Sequence, residues 1–136
     1  MGQQVLIIDD DTDTCKLLSR VLLKVGYNAD TAFSGIQGLE KFNEKHYDII
    51  LCDYNMGDSN GLSVLKKVKE RKPGTIVIIM TGYLNSDIET ALKANGAFDY
   101  ITKPIYPEVI FKVLKEAIDE KKSVMAINYS EPQSIV

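Results

Sequence analysis

The sequence predicts an α/β fold in which five parallel strands form one doubly wound sheet between two layers of helices. Short apolar runs alternate along the chain with longer segments of helical period, which is the pattern of repeated βα units. The 136 residues suit one domain, and a hydrophobic content of 45% is ordinary for a globular protein. Right-handed crossovers and a polar second strand favour the strand order 2-1-3-4-5.

Five short runs are the strand candidates. Four of them are apolar enough to be buried on both faces, as parallel strands usually are. The second run, Asn28–Ala32, is polar and is better suited to the edge of the sheet. The predicted strands span residues 4 to 8, 28 to 32, 48 to 52, 75 to 80 and 98 to 101.

The segments that follow the strands have the period of amphipathic helices, and glycines or N-cap residues mark their ends. The predicted helices are a first from about 12 to 25, stopped by Gly26; a second after the N-cap Ser34; a third after Gly61; a fourth from about 86 to 95, begun near the capping box Ser86–Glu89 and stopped by Gly96; and a fifth through residues 109 to 118. Core-facing positions are expected at Cys15, Leu18, Leu22 and Val25 in the first helix and at Ile36, Leu39 and Phe42 in the second.

Charge and composition exclude several classes of function. A net charge of -3 argues against direct nucleic-acid binding by this chain. No apolar stretch approaches the roughly 20 residues that span a bilayer, and Met1–Gln4 lacks the features of a secretory signal. We therefore expect a cytoplasmic protein without membrane contact. Cys15 and Cys52 lack the spacing of metal ligands and are predicted to be buried free thiols.

The C-terminal segment differs from the rest of the chain. After Glu120 the helical period is lost, and the segment contains Pro132. Residues 1 to 120 are therefore predicted to form the domain, and residues 121 to 136 a tail or a linker to an output domain. A segment that docks elsewhere is the alternative.

Three carboxylates lie where predicted strands end. Asp9 and Asp10 close the first strand, and Asp53 closes the third. Ligands of doubly wound sheets bind beyond the carboxyl ends of the strands, near the switch between strands one and three. Crowded carboxylates are costly to ionise unless a cation lies among them. The sequence therefore predicts a divalent-metal pocket at this edge.

Further polar residues end the fourth and fifth strands. Thr81 and Gly82 follow the fourth strand, and Lys103 and Pro104 follow the fifth. Together with the three acids, they resemble the receiver domain of two-component response regulators, over residues of about 4 to 120. Each piece alone has a plain structural explanation, such as a helix cap for the acidic pair or a solvated lysine, but the combination is specific. The resemblance implies a flavodoxin-like three-layer sandwich.

The resemblance also implies a reaction and a cofactor. Asp53 would accept a phosphoryl group from the phosphohistidine of a sensor histidine kinase or a histidine phosphotransfer protein. The implied ion is Mg²⁺, for which Mn²⁺ could substitute, held by Asp10, Asp53 and the main-chain carbonyl of Asn55. Asp9 would act largely through a coordinated water. Asp11, or Thr12, is instead expected to cap the first helix.

The resemblance implies that Lys103 and Thr81 act with Asp53 as catalytic residues and that Thr81 and Tyr100 form the switch. Lys103, turned by a cis bond to Pro104, would pair with a phosphate oxygen, and the Thr81 hydroxyl would donate to another. Tyr100 would then rotate inward, although a buried strand tyrosine is the alternative. Output is expected on the face of helix four, strand five and helix five, through a homodimer or partner docking.

The chain also departs from the family pattern. Gly57 stands where a proline is common, which favours a more mobile loop. Asn55 and Tyr83 hold the positions that flank the path of a hydrolytic water in relatives, so Tyr83 is expected to slow dephosphorylation. The string Gly96–Tyr100 resembles receivers attached to sigma-54-dependent activators, and it also occurs in other subfamilies.

Two other functions are compatible with parts of the pattern. One is a receiver-like interaction domain that takes no phosphate, against which the full set of acids, Thr81 and Lys103 argues. The other is a phosphohydrolase of the haloacid dehalogenase kind. That family generally has a second aspartate two residues after its nucleophile, whereas this chain has Asn55 there and no cap domain. A signalling switch, not an enzyme acting on external substrates, is therefore expected.

Overall fold

Strands and helices alternate through the chain, as the sequence predicts. A computed structural model describes residues 3 to 130, with side chains as far as residue 123. The strands are β1 (Gln4–Ile8), β2 (Asn28–Ala32), β3 (Ile49–Asp53), β4 (Ile76–Thr81) and β5 (Asp99–Thr102). The helices are α1 (Thr12–Lys24), α2 (Gly35–Glu44), α3 (Gly61–Arg71), α4 (Ser86–Ala94) and α5 (Pro107–Ser130).

The five strands form one parallel sheet in the order β2-β1-β3-β4-β5, which confirms the predicted fold class. The polar strand β2 lies at an edge, as predicted. β1 and β2 have their predicted bounds, whereas β3, β4 and β5 begin and end one residue later than predicted. Consequently Asp53 and Thr81 are the last residues of their strands, and Asp53 is in register with Met80 of β4.

The helices cover both faces of the sheet. On one face, α2, α3 and α4 pack over alternate strand residues in a buried cluster that includes Leu6, Ile50, Val77 and Leu65. On the other face, α1 lies against β1 and β2, and its residues Cys15, Leu18 and Leu22 are buried outside that cluster. Burying a side chain such as Leu65 contributes roughly 1.5–3 kcal/mol, so these two layers fix the sheet from which the site projects.

Helix α2 is rotated relative to the prediction. Ile36 was expected in the core, but it is 64% exposed. The buried side of the helix carries Gly35, Gly38 and Phe42 instead. A Cβ at Gly38 would lie 2.4 Å from Cδ1 of Ile8, so the absence of a side chain lets α2 approach β1 closely. The pattern of apolar residues cannot identify the buried side of a helix when glycines form part of that side.

The helix ends follow the predicted signals with two exceptions. Asp11 caps α1, and Gly26 and Gly96 have positive φ angles of 87° and 91° just beyond α1 and α4, as expected. The N-cap of α4 is Asn85 rather than Ser86, and its side chain accepts the Ile88 N–H at 2.8 Å. Val25 was also predicted to be buried, but it follows the last residue of α1 and is 46% exposed.

The chain divides into two compact units. The first ends at Pro104 and contains the sheet with α1 to α4, and the second begins at Ile105 and contains α5. Pro107 is the first residue of α5, and the helix continues to Ser130, so residues 121 to 130 are helical. Residues 131 to 136 of the predicted tail or linker lie outside the described residues. Among the described helices, none is long and apolar enough to cross a membrane.

Candidate functional site

Three acidic side chains converge beyond the carboxyl ends of β1 and β3. Asp9 and Asp10 follow β1, and Asp53 ends the neighbouring strand β3. One carboxylate oxygen from each residue lies within 4.8 Å of the others. We call these three residues the acidic cluster. Asp9 is 0% exposed and Asp53 is 5% exposed, whereas Asp10 faces solvent.

Lys103 is the cation of this cluster. Its Nζ lies 3.1 Å from Oδ2 of Asp9 and 3.0 Å from Oδ1 of Asp53, so one ammonium group bridges two acids. The backbone N–H of Lys103 donates to the carbonyl of Thr81 at 2.7 Å, which ties the end of β5 to the end of β4. The Lys103–Pro104 bond is cis, as expected. The structure thus brings together four of the predicted site residues.

The electrostatics of the site reflect this crowding. Burial raises the pKa of Asp53 above its ordinary value, and the hydrogen bond from Lys103 offsets part of that effect. Burial would lower the pKa of Lys103, but its hydrogen bonds to Asp53 and Asp9 outweigh it and the pKa is raised. One ammonium group therefore pairs with two of the three carboxylates, and the ionised cluster retains excess negative charge.

Asp9 is held in place by contacts that the sequence did not predict. The Asp11 N–H donates to Oδ1 of Asp9 at 2.9 Å, and the Asp9 N–H donates to the carbonyl of Ala32 at 3.0 Å. The Cys15 thiol lies 3.3 Å from the Asp9 carbonyl oxygen. Burial is the main reason why the pKa of Cys15 rises to about 11, so the thiol is neutral at physiological pH. Cys15 and Cys52 are free and buried, as predicted.

Residues 54–60, the β3–α3 loop, contain the predicted metal ligand Asn55, two positions after Asp53. The Tyr54 N–H donates to the Met80 carbonyl at 2.7 Å, and the Gly61 N–H donates to the Tyr54 carbonyl at 2.7 Å. Asn55 and Asn60 form an isolated antiparallel bridge. The loop therefore folds back on itself and returns the chain to the start of α3, beside Asp53.

Gly61 makes this return possible, and its replacement by alanine is expected to destabilise the protein by about 1–3 kcal/mol. A Cβ at Gly61 would lie 2.9 Å from the Asp53 carbonyl oxygen and 3.0 Å from Cα of Tyr54, so backbone would have to move. Urea unfolding of Gly61→Ala measures the loss. The matched control is Gly74→Ala, because nothing lies within 4 Å of a Cβ there. Equal stability of the two variants would contradict the close approach.

Thr81 and Tyr83 form a local turn after β4. Thr81 is fully buried, and its hydroxyl donates to the Tyr83 carbonyl at 2.8 Å. The Tyr83 N–H donates back to Oγ1 of Thr81 at 3.2 Å, while the Tyr83 side chain is 67% exposed. The hydroxyl of Thr81 is thus engaged by this turn.

Tyr100 is half-buried and packs against the core cluster on the side of α4. Its hydroxyl donates to the Glu89 carboxylate, and this hydrogen bond is the main reason why the pKa of Tyr100 is raised. Lys93 lies 3.1 Å from Glu89, and its Nζ lies 5.7 Å from the centroid of the Tyr100 ring. Glu89 and Lys93 of α4, which the sequence pattern did not indicate, therefore contact the Tyr100 side chain.

The acidic cluster fits a divalent cation. Its donors are carboxylate oxygens, which are the hard ligands that Mg²⁺ and Mn²⁺ prefer. Two of the acids are nearly inaccessible, while Asp10 opens the cluster to solvent, where an ion could keep water ligands. Lys103 neutralises only part of the negative charge of the ionised cluster, and the remaining charge favours the binding of a divalent cation.

The raised pKa of Asp53 predicts how stability depends on pH in the absence of metal. The folded protein retains a proton on Asp53 at pH values above the ordinary pKa of 3.8, where the unfolded chain has released it. The free energy of unfolding therefore falls as pH rises through that range, and Asp53→Asn removes this contribution. Urea unfolding of both proteins from pH 4 to 7 is expected to show a stability difference that grows in favour of Asp53→Asn. A stability difference between the two proteins that does not change with pH would contradict the raised pKa of Asp53.

Comparison with known proteins finds a family model that covers all of the site residues. Residues 5–115, which include every site residue above, match the response regulator receiver domain. The transcriptional regulatory protein ZraR of Klebsiella oxytoca is 40% identical over 121 residues, which are 86% of this chain and 27% of that protein. The chain thus spans no more than 28% of the length of the ZraR proteins that it matches.

Solved structures show the same likeness. A CheY-like response regulator receiver domain protein from Methanospirillum hungatei JF-1 has a TM-score of 0.87 at 29% identity, over 90% of this chain and 98% of that chain. The BeF3-activated DrrB receiver domain has a TM-score of 0.80 at 26% identity, over 88% of this chain and 99% of that chain. The similarity in fold to these receiver domains therefore agrees with the family match over residues 5–115.

Proposed function

Because this chain belongs to the response regulator receiver domain family, whose members are signalling switches, we propose that Asp53 accepts a phosphoryl group in a Mg²⁺-dependent reaction. The donor would be the phosphohistidine of a sensor histidine kinase or a histidine phosphotransfer protein. The observation that carries the proposal is the position of Asp53. Its carboxylate is nearly buried, contacts Lys103 at 3.0 Å and lies within 4.8 Å of two further carboxylates.

In the proposed transfer, a carboxylate oxygen of Asp53 forms a bond to phosphorus while the bond between phosphorus and the donor nitrogen breaks. The electron pair of that bond returns to the imidazole nitrogen of the donor. Lys103 already lies within contact distance of Asp53, so its ammonium group is placed to stabilise the negative charge of the phosphoryl oxygens. Catalysis of this kind depends on positioning and charge more than on proton transfer.

The metal ion would be held by Asp10, Asp53 and the main-chain carbonyl of Asn55, with Asp9 acting through a water. When bound, Mg²⁺ neutralises charge that builds up between the carboxylates and the incoming phosphoryl group. The pairing of Asp9 with Lys103 at 3.1 Å supports an indirect role for Asp9, since its Oδ2 is already satisfied.

The switch would proceed through Thr81 and Tyr100. To donate to a phosphoryl oxygen, the Thr81 hydroxyl must give up its hydrogen bond to the Tyr83 carbonyl. To rotate inward, Tyr100 must leave Glu89 and Lys93. The phosphoryl group on Asp53 would carry about 1.5–2 negative charges in place of the single charge of the carboxylate, and its oxygens would accept the new contacts for this shift.

We expect Tyr83→Ala to shorten the lifetime of the phosphorylated protein several-fold. The exposed side chain of Tyr83 lies two residues after Thr81, where it would restrict the approach of a hydrolytic water. The measurement is loss of the phosphoryl adduct over time after donor removal. Tyr83→Phe keeps the bulk and should retain the wild-type rate. An unchanged lifetime in Tyr83→Ala would exclude this role.

The proposal extends to the organisation of the whole protein. Residues 1 to 120 would be the receiver, and residues 121 to 136 a tail or linker to an output part. The length of the matched relatives and the likeness of Gly96–Tyr100 to receivers of sigma-54-dependent activators support this arrangement. A cytoplasmic location belongs to the same proposal, and two free thiols are compatible with it.

The test is incubation of the protein with acetyl phosphate, with and without Mg²⁺, followed by intact mass measurement. The proposal predicts one phosphoryl adduct that depends on Mg²⁺. No adduct with any donor would favour an interaction domain that takes no phosphate. Multiple turnover of an external phosphate ester would favour a hydrolase.

A further inference from the structure

The β3–α3 loop is tied to a helix that does not belong to it. The Asp58 carboxylate accepts two backbone N–H groups from the first turn of α2, from Gly35 to Oδ1 at 3.1 Å and from Ile36 to Oδ2 at 3.0 Å. The first N–H groups of a helix have no partners within the helix, and a negative charge there is favourable. The hydrogen bond from Ile36 is the main reason why the pKa of Asp58 is lowered, so this side chain is ionised at neutral pH.

A second contact reinforces this tie. A Cβ at Gly35 would lie 2.0 Å from Oγ of Ser59, which means that Ser59 occupies the space where a side chain of residue 35 would project. Asp58 and Ser59 are also linked, since the Ser59 hydroxyl lies 3.3 Å from Oδ1 of Asp58. The tip of the loop therefore interlocks with the start of α2.

The tie bears on the metal site because Asn55 and Met56 lie between Asp53 and Asp58 in the chain. Within the loop, the Met56 N–H donates to the Ser59 carbonyl at 3.2 Å, and Asn55 pairs with Asn60. A displacement of Asp58 and Ser59 would therefore be passed to Met56 through the Ser59 carbonyl, and to Asn55 through its neighbours Met56 and Asn60. Gly57 adds backbone freedom in the middle of this segment. Without an external anchor, the main chain at Asn55 would sample more conformations.

We propose that Asp58 is a positioning residue for the metal site: by anchoring the β3–α3 loop on α2, it holds the Asn55 backbone where Asp53 and the ion need it. The inference rests on the proposed function, since it assumes an ion between Asp53 and Asn55. Asp58 itself lies outside the acidic cluster, so in this role it would act through the loop and not as a ligand.

The test compares two variants that remove contacts from the same helix end. Asp58→Ala removes the tie between loop and helix, whereas Ser34→Ala removes the N-cap of α2, whose hydroxyl accepts the Gln37 N–H at 3.0 Å, and leaves the tie intact. We expect Asp58→Ala to weaken Mg²⁺ binding about tenfold, at the lower end of the effect of outer-shell partners. Ser34→Ala should bind Mg²⁺ as the wild type does. Titration with MgCl₂, followed by the amide NMR signals of residues 53 to 56, gives both affinities.

Two further measurements separate positioning from general damage. In the metal-free proteins, the Met56 amide should exchange with solvent faster in Asp58→Ala than in the wild type and Ser34→Ala. Adding Gly57→Pro to Asp58→Ala should recover much of the Mg²⁺ affinity, because proline restricts the loop by another route. Gly57 does not have a positive φ, so the residue is compatible with proline in this respect.

The outcomes distinguish the inference from the proposed function. Wild-type Mg²⁺ affinity in Asp58→Ala, or an equal loss in Ser34→Ala, would overturn the positioning role while phosphorylation of Asp53 stands. Asp58→Asn keeps one acceptor oxygen and should fall between the wild type and Asp58→Ala, which tests the role in a milder variant. A wild-type protein that binds Mg²⁺ but accepts no phosphoryl group would overturn the proposed function alone. Absence of Mg²⁺ binding in the wild type would overturn both.

Discussion

Asp53→Asn is expected to abolish phosphoryl acceptance. The amide has nearly the shape of the carboxylate but no anionic oxygen with which to attack phosphorus, so the loss is chemical rather than steric. Asp9 and Asp10 lie nearby, but in the proposed site they hold the metal ion, Asp10 directly and Asp9 through a water, so neither is expected to substitute. Intact mass after incubation with acetyl phosphate and Mg²⁺ should show the adduct in the wild type and none in the variant.

The matched control for this experiment is Asp13→Asn. Asp13 is an exposed acid in the first turn of α1, and its replacement makes the same change of charge outside the acidic cluster. It should be phosphorylated at the wild-type rate. A Mg²⁺-dependent adduct that persists in Asp53→Asn would mean that another residue is the acceptor.

Lys103→Ala is expected to have two effects of opposite sign. Phosphoryl transfer at saturating Mg²⁺ should slow by about a hundredfold to a thousandfold, the usual cost of removing one group that stabilises the transition state. Mg²⁺ binding should instead tighten, by about tenfold, because the ammonium group no longer repels the ion and no longer neutralises two acids. The geometry behind both effects is the bridge from Lys103 to Asp9 and Asp53, at 3.1 Å and 3.0 Å.

These effects are measured by adduct formation over time and by titration with MgCl₂. Lys93→Ala serves as control, since Lys93 pairs with Glu89 of α4 and lies outside the acidic cluster. Its Mg²⁺ affinity should match that of the wild type. Weaker Mg²⁺ binding in Lys103→Ala would show that the lysine organises the carboxylates more than it competes with the ion.

The fold could be predicted from the sequence because each strand has its own local signal. Apolar runs that are buried on both faces identify β1, β3 and β4, and the polar run of β2 assigns it to the edge. The prediction was wrong for Ile36 because α2 packs through Gly35 and Gly38, which carry no hydrophobic side chain. It was wrong for the cap of α4 because Asn85 and Ser86 are both good N-caps, and a pattern does not choose between neighbours.

The acidic cluster was also predictable, because the carboxyl ends of adjacent parallel strands must meet. The sequence could not assign unequal burial to Asp9 and Asp10, which are neighbours in the chain but differ between full burial and exposure. It also could not reveal the contact of Asp58 with α2, which joins residues 22 positions apart, or the hold of Glu89 on Tyr100. Such contacts depend on how separate elements pack, and no local pattern encodes them.

The central claim is that Asp53 is the residue that becomes phosphorylated, and the most direct measurement is to locate the phosphoryl group. Borohydride reduces an aspartyl phosphate to homoserine, so treatment of the protein after incubation with acetyl phosphate marks the acceptor. Peptide mass spectrometry should then find homoserine at position 53, only in the sample that contained Mg²⁺. Homoserine at position 9 or 10, or an adduct formed equally well without Mg²⁺, would contradict the account.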